Sequence, residues 1–297
     1  MYRWCVRIVS IVTLLCCQGC LGRFFYYPGR NVYHTPEKVG LPYEEVTFPS
    51  SDGTKLSGWF IPAVGVPQGT VIHFHGNAQN MTAHFSYVYW LPRAGFNLFV
   101  FDYRGYGKSA GAPDRAGLFE DAQAALRYVA GRNDVDRERL VVLGQSLGGT
   151  NAIAALGGTG TPRVQAVAVE SAFASYRSIV REKMAQIPVL SLLRWPLSYL
   201  LIGDSYSALD AVAAISPVPL LLIYETQDNI VPISEGLKLY EKAREPKELW
   251  QVPGGTHAGA FAEADSPYRK ALVQFYQKAL PGKAGPAPVG PVSPAPR

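Results

Sequence analysis

The chain has 297 residues, 48% of them hydrophobic and 17% charged, which is enough apolar material for a large core. Its formal charge of +5 is spread without basic runs, so nucleic acid is not expected as a partner. All four cysteines, Cys5, Cys16, Cys17 and Cys20, precede residue 21, which leaves the body without disulfides and without a thiol nucleophile.

Arg3 and Arg7 lead into an uncharged apolar run over residues 8–17. That run is shorter than the roughly 20 residues a spanning helix needs, and it has the length of a secretory h-region. It ends in Gln18-Gly19-Cys20, which resembles a bacterial lipoprotein signal, in which the cysteine after a small residue is lipidated. Cys17 departs from the leucine usual at its position. The pattern predicts a signal peptide over residues 1–19, export to the cell envelope and a lipid anchor on Cys20. An ordinary signal peptide or a short uncleaved anchor is the alternative.

Residues 20–43 form a lead. From residue 44, strand and helix patterns alternate. Residues 44–49 and 55–61 read as a hairpin around Ser51-Asp52-Gly53. Residues 70–75 predict a buried strand, 79–94 an aromatic-rich helix, 96–101 a strand and 115–130 an amphipathic helix. A strand over 140–143, a small-residue helix over 147–156 and a strand over 164–169 follow. The last strands are expected at 220–224 and 248–252, and the last helices at 233–243 and 267–279. Short, continuously apolar strands alternating with helices imply an α/β fold with a parallel sheet covered on both faces. Residues 172–208 break the rhythm and predict a short cap insertion over the sheet's C-terminal edge. Within it, residues 187–203 carry a single charge, Arg194. The domain is expected over 44–280, and the proline-rich residues 281–297 are expected to be a disordered tail.

Gly144-Gln145-Ser146-Leu147-Gly148-Gly149 follows an apolar strand and opens a helix, the setting of a nucleophile elbow. Gly144 and Gly148 relieve the sharp turn, and Ser146 projects at its tip with a helix N-terminus behind it. A glycine-rich helix start that merely packs closely is the plainer alternative. A serine needs a base that is neutral near pH 7, and His257, in GGTHAGAF, is the only histidine C-terminal to Ser146. Asp228, in the loop after strand 220–224, is the favoured acid to orient that imidazole, with Glu170 as its rival. Asp102 precedes the serine and does not fit the order serine, acid, histidine. His73 and His75, in HFHGN, stand at i and i+2 on a strand and so share a face. That spacing fits half of a metal centre. No His-x-x-x-His pattern or acid-rich cluster accompanies it, and neither a metal nor another cofactor is expected.

In order along the chain, these motifs resemble the α/β-hydrolase superfamily, in the subgroup with an HGN oxyanion strand. The carrying residues are His75-Gly76-Asn77, DYRGYGKS over 102–109, GQSLGG over 144–149, DNIVP over 228–232 and the GGTH loop. The resemblance runs from about residue 46 to residue 276 and departs at Glu225, where the family commonly has glycine. It implies a mostly parallel twisted sheet of about eight strands with a short helical insertion after strand 6. It also implies that the backbone N–H groups of Asn77 and Leu147 form the oxyanion hole and that Gly76 allows close approach. His75 would shape the loop and His73 would pack within the fold. Because the donor at position 77 is main-chain, Asn77→Ala is expected to leave much activity. The implied activity is that of a serine hydrolase, with Ser146, His257 and Asp228 cleaving carboxylic esters or thioesters through an acyl-enzyme. Serine peptidases, amidases and non-catalytic binding proteins share the fold. Residues 187–203 and FSYVYW over 85–90 either line an acyl pocket or belong to the core or a membrane-facing surface. Expected partners are a small-molecule or acylated substrate and, through Cys20, a membrane.

Overall fold

A computed structural model describes residues 25–281. The expected signal peptide, Cys20 and the tail beyond residue 281 lie outside the described residues. The main sheet has eight strands: β1 (Glu44–Pro49), β2 (Lys55–Ile61), β3 (Gly69–Phe74), β4 (Phe96–Asp102), β5 (Leu140–Gln145), β6 (Ala166–Glu170), β7 (Leu220–Glu225) and β8 (Lys247–Val252). Their spatial order is β1-β2-β4-β3-β5-β6-β7-β8. The β1–β2 and β2–β4 pairs are antiparallel and every other pair is parallel.

The strands read as continuous apolar runs because both faces are covered. Their side chains alternate between two cores. Ile72, Val142, Leu222 and Tyr224 point to one, and Val71, Val141, Leu143 and Ile223 to the other. Helices α1 (Met81–Val88) and α8 (Pro267–Ala279) close the second core with Phe85, Leu272 and Tyr276. Helices α2 (Arg115–Ala130), α3 (Leu147–Leu156) and α7 (Ile233–Lys242) close the first with Leu126, Ile153 and Leu239. After β6 come α4 (Tyr176–Ala185), α5 (Pro188–Leu201) and the single-turn α6 (Ala208–Ala211), so the stretch read as a cap is helical.

Two elements differ from expectation. The helix expected over 79–94 is only α1. It starts after Asn80, whose side chain accepts a hydrogen bond from the Thr82 amide at 2.9 Å, and it ends before Pro92. A residue preceding proline is pushed out of helical geometry, which stops the helix short of Leu91. The lead also contributes structure: Tyr27–Pro28 pairs in parallel with Ala78–Gln79 directly after the HGN segment. A two-residue pairing has no periodicity to read in advance.

Candidate active site

The parallel strands β3, β5, β6, β7 and β8 all end at one edge of the sheet, and the segments that leave β3, β5, β7 and β8 carry Asn77, Ser146, Asp228 and His257. Ser146 sits where β5 turns into α3, at φ 52° and ψ −120°. Positive φ costs a non-glycine residue about 1–3 kcal/mol and persists only where the surroundings enforce it. Here the Ser146 amide bonds the Glu170 carbonyl at 2.8 Å. The flanking glycines leave no alternative. A Cβ on Gly148 would lie 2.0 Å from the Phe74 carbonyl oxygen, and one on Gly144 would lie 2.6 Å from the Gly149 Cα.

His257 follows β8, and Asp228 follows β7. Their side chains meet, with His257 Nδ1 2.7 Å from Asp228 Oδ2. The carboxylate only accepts, so Nδ1 carries the proton and Nε2 is left as the basic nitrogen. The other Asp228 oxygen accepts from the amides of Ile230 at 2.7 Å and Val231 at 2.9 Å. Burial opposes ionisation of Asp228, but the bond to His257, its charge and these two amides outweigh burial and hold the carboxyl below its ordinary value. The Asp228 side chain is inaccessible to solvent, and His257 is partly exposed.

Ser146 and His257 line one cavity of about 560 Å³ with Gly76, Asn77 and Leu147. Among the described residues, the backbone N–H groups of Asn77 and Leu147 donate to no other protein group. Leu147 is the first residue of α3, where an amide has no partner within its own helix. A Cβ on Gly76 would lie 2.9 Å from His84 Cε1, so any larger residue here would have to push the His84 ring aside. The rest of the lining is largely apolar, with Phe25, Tyr87, Phe173, Ile179 and Ile230 prominent and Lys183 at the rim.

The two histidines of HFHGN point to different partners. His75 Nδ1 lies 2.7 Å from the Gly76 carbonyl, and its Nε2 lies 3.4 Å from Asp102 Oδ1. His73 Nε2 lies 3.0 Å from Gln145 Oε1, and burial pulls its pKa down to about 3, so it stays neutral. No group of three or more His, Cys, Asp or Glu side chains gathers to hold a metal among the described residues. Asp102 accepts from the Met81 amide at 2.7 Å and so pins the start of α1.

Glu170 is fully buried and faces a second buried acid, Glu225. Burial first, then the charge and hydrogen bond of Glu225, push the Glu170 carboxyl well above its ordinary value. Gln145 Nε2 donates to Glu170 at 2.6 Å, and Ser171 Oγ donates to Glu225 at 2.6 Å. The amide of Ala260 donates to Glu170 at 2.7 Å, and that of Gly259 to Glu225 at 3.2 Å. The two acids thus hold the loop that carries His257. The sequence offered one signal for this pair: two strands, β6 and β7, each ending in glutamate after an apolar run.

Two features bear on the open readings. The Asn77 side chain is not idle: its Nδ2 donates to the Phe25 carbonyl at 2.6 Å. Its Oδ1 accepts from Tyr106 Oη at 2.8 Å and the Tyr27 amide at 3.2 Å. These bonds tie the segment that carries the Asn77 amide to Phe25, Tyr27 and Tyr106, so the side chain has a structural part of its own. Residues 187–203 do not line the cavity; α4 supplies Ile179, Val180 and Lys183 instead. Of FSYVYW, Phe85, Val88 and Trp90 are buried in the core, and only Tyr87 reaches the cavity.

The sequence has relatives that cover nearly all of it. The alpha/beta hydrolase domain-containing protein WAV2 of Arabidopsis thaliana is 34% identical over 296 residues, 94% of this chain and 93% of its own length. The chain belongs to the α/β-hydrolase superfamily. This α/β-hydrolase is also similar to the uncharacterized protein YfhR of Escherichia coli strain K12, at 41% identity over 282 residues, 93% of this chain and 92% of that one. A family model described as serine aminopeptidase, S33, matches residues 65–206 of the α/β-hydrolase, which includes Ser146 and stops before Asp228 and His257. An esterase of Pyrococcus furiosus shares the fold with a TM-score of 0.69 at 24% identity, over 86% of this chain and 98% of that one. The esterase domain of a Rhodothermus marinus protein does so with a TM-score of 0.60 at 22% identity, over 81% of this α/β-hydrolase and 100% of that chain.

Proposed function

We propose that the protein is a serine hydrolase that cleaves carboxylic esters or thioesters. The observation that carries this reading is the 2.7 Å bond from His257 Nδ1 to Asp228 Oδ2, behind a cavity that His257 shares with an elbow-strained Ser146. His257 Nε2 takes the hydroxyl proton as Ser146 Oγ attacks the acyl carbon. The Asn77 and Leu147 amides receive the developing oxyanion, and loss of one such donor costs on the order of 100- to 1000-fold. His257 returns the proton to the leaving alcohol or thiol, and an acyl-serine remains. Water, deprotonated by the same nitrogen, then releases the acid.

The family model's description brings an amidase reading, in particular an aminopeptidase. Such an enzyme needs an anion to hold the substrate's terminal ammonium. The cavity lining contains no carboxylate among the described residues, and its rim carries the cation Lys183. The apolar walls favour an acyl chain. Ser146→Ala should abolish turnover of short p-nitrophenyl esters while leaving the melting temperature close to that of the parent. Turnover that survives the substitution would overturn the assignment. A fluorophosphonate that leaves Ser146 unlabelled would favour a binding protein on the same fold. An ester series with no preference for longer acyl groups would remove the acyl-chain reading, and amides in the same panel test the peptidase alternative.

A further inference from the structure

The outer face of α5 has the wrong polarity for a helix in water. Val189, Leu192, Leu193 and Tyr199 form one stripe along it, exposed to 73%, 84%, 50% and 57%, and Trp195 beside them to 55%. The inner side of the helix is already occupied, since Ser198 is buried and α5 packs on α4. Basic side chains flank the stripe. The Arg181 guanidinium lies 4.4 Å over the Trp195 ring, and that of Arg177 lies 4.4 Å over Tyr199. Arg177 also pairs with Asp204 at 3.7 Å. Across residues 177–204 the basic residues are Arg177, Arg181, Lys183 and Arg194, against the acids Glu182 and Asp204. An apolar stripe edged by aromatic and basic residues is the chemistry that settles at an anionic lipid surface.

The N-terminal chain gives the direction. The described structure begins at Phe25, and Phe25 and Tyr27 both line the cavity that holds Ser146. From the apolar run over 8–17, only residues 18–24 intervene, a reach of about 25 Å when fully extended. A bilayer that holds that run, or a lipid on Cys20, is therefore tethered to the cavity side of the molecule and not to the opposite edge. Helix α4 joins the two features, because Ile179 and Lys183 line the cavity while α5 packs against the same helix.

We propose that the outer face of α5 docks on an anionic lipid bilayer, which brings the mouth of the Ser146 cavity to the membrane. The occupant is lipid and not a second copy of the chain. The stripe from Val189 to Tyr199 is about 15 Å long and one helix wide, too small for the roughly 800 Å² that each partner of a stable pairing buries. An acyl ester resident in that bilayer then reaches Ser146 without leaving it; this part rests on the hydrolase reading above.

The test is amide hydrogen exchange on the full-length chain with and without vesicles of phosphatidylethanolamine and phosphatidylglycerol. Peptides over residues 187–203 should slow by about tenfold or more on vesicle binding. The loop over 63–68, which leads into the opposite end of β3 and exposes Val64 and Val66, should not change. Vesicle-bound protein without protection at 187–203 overturns the docking. So does protection already present before vesicles are added, because the chain's own N-terminal segment or a second copy would then be the cover. A second arm uses Val189→Glu with Leu192→Glu. Turnover of a long-chain ester carried in vesicles should fall about tenfold, while a short soluble ester keeps its rate. Equal rates on the vesicle-borne ester overturn the proposal. A parent protein inactive on the soluble ester sinks the hydrolase reading, and the exchange arm still decides the docking.

Discussion

Glu225→Ala is expected to unsettle the His257 loop from beneath. It removes the acceptor of Ser171 Oγ at 2.6 Å and of the Gly259 amide at 3.2 Å, as well as the carboxyl partner of Glu170. Three hydrogen bonds at about 1 kcal/mol each give about 3 kcal/mol, and for a chain of this size about 6–12 °C in melting temperature. Glu225→Gln keeps the shape and offers an amide N–H to Glu170, so it should melt within a few degrees of the parent. The pH dependence separates proton sharing from simple packing. The carboxyl of Glu170 is raised above its ordinary 4.5, so the native state holds a proton that the unfolded chain has released. Stability from this group is complete below 4.5 and is lost as pH rises through the raised value. Scanning calorimetry from pH 5 to pH 9 should show the parent losing stability on the alkaline side and Glu225→Gln losing less. If Glu225→Gln melts as low as Glu225→Ala, or if both proteins share one pH slope, the acids do not share a proton.

Four further outcomes follow from the geometry. Asp228→Asn should keep the fold and lower kcat by about four orders of magnitude, because the amide favours the wrong His257 tautomer; ester kinetics check this. Gly148→Ala should fail to yield native protein, since the new Cβ would meet the Phe74 carbonyl oxygen at 2.0 Å within a strand that cannot move; soluble yield and circular dichroism decide it. Asn77→Ala should lower kcat by about tenfold or more through loss of its bonds to Phe25, Tyr27 and Tyr106, and unchanged kinetics would restore the original expectation. Arg104→Met leaves the buried Asp121 without the guanidinium that bonds it at 2.8 Å, at a cost of about 3–5 kcal/mol in urea unfolding.

The sheet was readable in advance because buried parallel strands leave uninterrupted apolar runs, and residues 220–224 need no partner to be recognised. The elbow was readable because its demands are local: a strand, two glycines and a helix start within six residues. The Glu170–Glu225 pair was signalled only by a glutamate at the end of each of two apolar strands; that they meet could not be read, because they lie on different strands, and one of them looked like a departure from a family glycine. The side-chain role of Asn77 was hidden for the same reason, since its partners Phe25 and Tyr106 come from separate segments. The HFHGN histidines were conspicuous by spacing, yet His73 and His75 turn to Gln145 and Gly76. Pattern shows which side chains share a face, not which atoms they meet. Residues 187–203 were apolar enough for a pocket wall, and only packing against α4 turns them outward.

The hydrogen bonds from Asn77 to Phe25 and Tyr27 also relocate the start of the folded unit. By hydropathy alone it begins near residue 44, and everything earlier is leash. Phe25 and Tyr27, far ahead of that point, already form part of the cavity wall. Removal of residues 25–43 would take Phe25 and Tyr27 out of the cavity wall, whereas removal of residues 1–24 would leave that wall in place.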